Sequence, residues 1–159
     1  MSKRIVLKSV IAVVMVGFIL SFSSCKKEEK LIVGKWKYEK IEIKELACTD
    51  PETEMMLRLS FQFGASMIAE ELGLKTMEFT KDGKVITNQE TASYKVNGNK
   101  LTITNSDYLS GNFDISFEKK TTMYVEMDLM KFEEFDAEEN EEDGITKCIL
   151  LITFAKQKN

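Results

Sequence analysis

After Thr76 the chain turns back on itself every few residues. "TMEFT" and "KVIT" meet through Asp82-Gly83, and "TASYKV" and "KLTIT" meet through Asn97-Gly98-Asn99. Asp-Gly and Asn-Gly tolerate the positive φ that a tight hairpin turn needs, so the flanking runs read as neighbouring antiparallel strands. "NFDISFE" puts Phe113, Ile115 and Phe117 on one face, and "TMYVEMDLM" does the same with Met123, Val125, Met127 and Leu129. The closing "ITKCILLITFA" is apolar on both faces, as in a strand covered on both sides. With the earlier "GKWKYEKIEIKEL", Gly34 to Leu46, this makes about eight strands joined mostly by tight turns. The fold class that follows is mainly β, an antiparallel up-and-down barrel.

The first strand carries a parity change. Trp36 and Tyr38 share one face, whereas Ile41 and Ile43 have the opposite parity. A bulge near Glu39 or Lys40 returns all four to one side and bends the strand, as a closing barrel requires. A helix over about residues 51–73 interrupts the strands directly afterwards. Thr49 and Glu52 have capping-box spacing, Pro51 suits the first turn, and Gly73 is a natural stop. Glu54, Arg58, Gln62, Ser66 and Glu70 form one narrow polar stripe, and apolar residues fill the rest of the circumference. That pattern predicts a helix buried over most of its surface, capping or plugging the barrel or meeting a partner.

The N-terminus is read apart from the fold. Lys3, Arg4 and Lys8 precede the apolar run Val10–Phe22, which is shorter than the roughly twenty residues of a membrane span. "FSSC", ending in Cys25, resembles the lipobox of bacterial lipoprotein signal peptides, with Phe22 where leucine is usual. The resemblance implies cleavage after residue 24, a diacylglycerol on Cys25 and an acylated new terminus, attaching the chain to a membrane. "KKEE", Lys26 to Glu29, is similar to the signal that sends some Gram-negative lipoproteins to the cell surface. The expected organisation is therefore a signal peptide over 1–24, a lipidated cysteine and charged tether over 25–31, and a barrel domain over 32–159. The expected location is the outer membrane, exposed at the cell surface.

Gly34 and Trp36 at the start of the first strand, followed by hairpins, resemble the lipocalin family. "EFTKDGKVI" and "YKVNGNKLTIT" look like the small lipocalin-like lipoprotein domains of some Gram-negative bacteria. In lipocalins the tryptophan closes the barrel floor. The resemblance implies non-covalent binding of a small apolar or amphipathic ligand, and strand or helix face alone makes Phe63, Met67, Tyr94, Phe113, Phe117 and Met127 the candidate contacts. The helix after the first strand departs from the usual lipocalin order. It leaves open a filled barrel that docks on an envelope or host protein instead.

Other chemistries find little support. The chain has no histidine, which removes Ser-His-Asp and Cys-His catalysis and the commonest metal ligand. No glycine-rich phosphate loop is present, so the expectation is a non-enzyme with no cofactor and no metal. A formal charge of −4 speaks against nucleic acid. The acidic run Glu133–Asp143 reads as a solvated loop. Once Cys25 is lipidated, Cys48 and Cys148 remain. Antiparallel closure of the last strand on the first brings those strand ends together, and an oxidising compartment favours a Cys48–Cys148 disulfide.

Overall fold

The computed structural model describes residues 27–131 and 144–158. Eight antiparallel strands close in sequence order into a barrel. They are β1 (Gly34–Cys48), β2 (Thr76–Phe79), β3 (Lys84–Ile86), β4 (Thr91–Asn97), β5 (Lys100–Thr104), β6 (Gly111–Glu118), β7 (Thr122–Asp128) and β8 (Ile145–Lys156). Each strand pairs with the next, and β8 returns to β1 along most of its length, from Trp36↔Lys156 to Cys48↔Ile145. Gly83 and Gly98 adopt the positive φ expected of their turns, at 78° and 59°. The parity change of β1 is resolved by a register shift between Tyr38 and Lys40, which leaves Trp36 and Ile41 both buried.

Alternation along the strands builds the core. Phe79, Leu101, Phe113, Met123, Met127, Leu150, Ile152 and Phe154 all point inward and are at most 2% exposed. Large side chains thus occupy the barrel interior, which is packed rather than hollow. Charge lies on the outer face, where cross-strand pairs such as Lys35–Glu78 and Lys100–Asp114 mark the register.

One helix, α1 (Pro51–Glu71), follows β1. The four residues of β2 pair only with Gly34 to Lys37, so the second half of β1 has no strand on that side. Helix α1 packs mainly on β1 and covers this edge. Its inward seam is Leu57, Phe61, Ala65, Ile68, Ala69 and Leu72, the i, i+4 and i+3 spacing of one helical face. The expected near-complete burial is overturned. Ala69 is the one fully buried residue of α1, and Met55, Met56, Leu59, Phe63 and Met67 face solvent. A single wall of β1 reaches only one face of a cylinder, and nothing among the described residues packs over the opposite one.

The cap also differs by one residue. Asp50, not Thr49, is the N-cap, and its carboxylate accepts the Thr53 backbone N–H at 2.8 Å. Thr49 is held in the strand-end geometry instead, donating its N–H to Gly144 O. At the other end no basic residue meets the helix dipole. Gln89, from the β3–β4 loop, donates its side-chain amide to Glu70 O and Glu71 O and satisfies those carbonyls.

Candidate functional site

The floor of the barrel is built around Trp36. Residues 27–32 are helical and end in Ile32, which is fully buried. The Trp36 indole Nε1–H donates to Ile32 O at 2.6 Å, which ties this segment across the barrel end. Lys156 lies over the indole ring, its Nζ 4.9 Å from the centroid, and donates to Leu31 O at 2.9 Å. Burial pushes the Lys156 ammonium below its ordinary value. Phe117 packs at 5.9 Å from the Trp36 ring. Gly34 has φ 129°, and a Cβ there would stand 3.0 Å from Lys156 Cε, so glycine lets the lysine reach its place. Lys156 carried no signal in the sequence beyond being a lone cation that ends an apolar strand.

The six candidate ligand contacts do not share one cavity. Phe113 and Met127 are core residues, and Phe117 belongs to the floor. Phe63 and Met67 stand on the outer face of α1, 80% and 72% exposed. Tyr94 packs edge-on to Phe79 and donates its hydroxyl to Thr80 O at 2.8 Å. Its ring also lines a groove of about 530 Å³ beside the floor helix, together with Val33, Val96, Glu29, Lys30, Lys81 and Lys95. That groove joins apolar side chains to three lysines and one glutamate.

At the opposite end of the barrel the β5–β6 loop is pinned by Glu90. Its carboxylate accepts the Ser106 hydroxyl and the Asp107 N–H, and the Ser106 oxygen accepts the Leu109 N–H. A polar groove of about 500 Å³ lies beside this loop, between Thr102, Asn112 and Tyr108. Glu90 was not legible as a functional or structural residue, because its partners are sixteen residues away across two strands.

The expected disulfide is not formed. Cys48 and Cys148 are both free thiols. The register explains this: Cys148 stands opposite Leu46, Cys48 stands opposite Ile145, and a shift intervenes between Ala47 and Cys48. The strand ends do meet, but the two cysteines are not a directly opposed pair. Burial raises the Cys148 thiol to about 11, and burial also raises Cys48, so neither is an activated nucleophile. No cluster of metal-ligating side chains occurs among the described residues. No helix among them is long and apolar enough to cross a membrane. Cys25 and the acidic run Glu133–Asp143 lie outside the described residues.

A closed eight-stranded barrel with a tryptophan floor under a cation defines a lipocalin-like architecture. The model of the lipocalin-like domain matches residues 32–125, more than half of the chain, and the chain belongs to that family. No curated protein and no solved structure matches it.

Proposed function

We propose that this protein is a lipid-anchored outer-membrane lipoprotein, joined to the bilayer through Cys25 and displayed at the cell surface, whose filled barrel is a rigid mount for an interaction surface. The observation that carries this reading is the outer face of α1. Met55, Met56, Leu59, Phe63 and Met67 leave roughly 600 Å² of apolar side chain in water, more than scattered surface residues account for. The interior, by contrast, is taken up by the chain's own aromatic, leucine and methionine side chains. The test is made in cells. Acyl label should enter the wild-type chain and not Cys25→Ser, and Phe63→Glu should shrink the native complex that the wild-type chain forms. A lipidated protein whose complex is unaltered by Phe63→Glu would refute the interaction reading.

A second reading is favoured by the groove at Tyr94. Val33, Val96 and the Tyr94 ring beside three lysines, which outnumber the one glutamate of the lining, Glu29, suit a small amphipathic anion, held outside the barrel rather than within it. None of Lys30, Lys81 and Lys95 has an ion-pair partner among the described residues. Lipids extracted from the purified wild-type chain should include a species absent from a Lys81→Glu/Lys95→Glu variant. Identical extracts would end this reading.

A further inference from the structure

We propose that the exposed face of α1 pairs with the same face of a second copy of this chain in the plane of the membrane. The inference rests on the interaction reading above and names its partner.

The outer face has two neighbouring rows. Met55, Leu59, Phe63 and Met67 recur every four residues and form a raised ridge. Ser60 and Gly64 lie in the adjacent row, between Met56 and Ile68, and leave a short trough beside it. A Cβ built on Gly64 meets nothing within 4 Å, so the trough is open. A ridge of large side chains beside a trough of small ones on one helix is complementary to itself. Ridges spaced by four fit the corresponding grooves of a second helix at a crossing of about −50°. In that arrangement Phe63 of each copy lies over Gly64 of the other, and the backbones approach closely. The Glu54–Arg58 ion pair and Gln62 flank the ridge and supply a polar rim.

The area also fits. Each copy offers roughly 600 Å² of apolar surface, so a symmetric pair removes at most roughly 1,200 Å² from water, the lower end of specific interfaces. That is modest for partners free in solution. It suffices for two chains confined to one membrane, where tethering raises the effective concentration.

The anchor selects the orientation. Both copies are held at Cys25, next to the helical residues 27–32 that close the barrel floor. A two-fold axis along the membrane normal keeps both floors on the same side, and α1 of each copy then runs in the same sense. Like residues meet near the axis, Ser60 with Ser60. The crossing carries the acidic ends away from one another: Glu52 and Glu70 of the two copies separate by more than a Debye length of about 8 Å. The acidic charge of α1 argues against the other apolar occupant, an anionic lipid surface, which favours lysine and arginine on such a helix.

The experiment is cross-linking of the full lipidated chain in native membranes. Ser60→Cys is treated with a short bismaleimide, with the unsubstituted chain as the control for Cys48. The expected result is an adduct of twice the chain mass, reduced at least tenfold when Phe63→Glu is added. Phe63 is 80% exposed, so the second substitution leaves the fold unchanged, and an unaltered melting temperature verifies that. An adduct to a different protein would overturn the self-pairing while leaving the interaction surface standing. No Ser60→Cys adduct of any mass, with Phe63→Glu also without effect on the native complex, would overturn both.

Discussion

Leu150 tests whether the barrel is full. It is fully buried in β8, opposite Ile43 on β1 and Met127 on β7, at mid-height in the interior. Leu150→Ala removes three carbons from a packed site. The lost transfer energy and the residual cavity together cost about 3 kcal/mol, within the range of about 2–5 for such changes. Leu150→Phe adds volume where Met127 and Ile152 already touch the limit of exposure, and overpacking costs about 1–3 kcal/mol. Both variants should therefore be less stable than the wild type. At this size each kcal/mol lowers the melting temperature by about 3–5 °C, so Leu150→Ala should fall by about 10 °C. The assay is urea unfolding with the slope held constant, so that a change of midpoint reads as a change of stability. A hollow ligand-binding barrel predicts something else: Leu150→Phe would fill spare volume and be neutral or stabilising. That result would refute the packed interior.

Other outcomes follow from single contacts. Trp36→Phe removes the donor to Ile32 O and leaves a buried carbonyl unpaired, so it should cost at least about 1–3 kcal/mol in the same unfolding assay. Gly34→Ala forces a side chain into a positive φ and against Lys156; it should destabilise by more than about 1 kcal/mol, and Gly64→Ala, with open space around it, should not. Asp50 is held below its ordinary 3.8 by the backbone N–H and then the hydroxyl of Thr53. The folded chain therefore binds fewer protons there than the unfolded chain. The stabilisation is complete above the unfolded value and fades as pH falls through the lower folded one, so Asp50→Ala should flatten that acid limb of the stability curve. Cys148, raised to about 11, should react with iodoacetamide much more slowly than Cys48 at pH 8, as read by peptide mass mapping.

The strands were legible because turn chemistry and alternation are local. Asp82-Gly83 and Asn97-Gly98 placed their hairpins, and the parity of Trp36, Tyr38, Ile41 and Ile43 placed the bulge to within one residue. The orientation of α1 was not legible. Its apolar residues surround the axis, so periodicity could identify a helix but not the face that meets β1. That choice depends on the shortness of β2, which leaves one wall to cover. The N-cap was missed by one residue because Thr49 and Asp50 are both capable caps, and the contact of Thr49 with Gly144 is made ninety-five residues along the chain. The floor was half legible. Trp36 was identified by a resemblance, while Lys156 and Ile32 become partners only when the ends of the chain meet. The cysteines show the limit of topology: closure predicted their proximity, and a register that sets Cys148 opposite Leu46 and Cys48 opposite Ile145 denied their opposition.

The central claim is a packed barrel carrying an outward apolar helix, and methionine oxidation tests it most directly. The full chain with Phe63→Glu, which keeps copies apart, is exposed briefly to dilute peroxide and mapped peptide by peptide. Met55, Met56 and Met67 stand in solvent, whereas Met77, Met123 and Met127 are at most 4% exposed. The account predicts early oxidation of the first three and protection of the second three until the chain unfolds. Protected α1 methionines beside readily oxidised Met123 and Met127 would contradict it, and would mean a helix turned inward over an open, solvent-filled barrel.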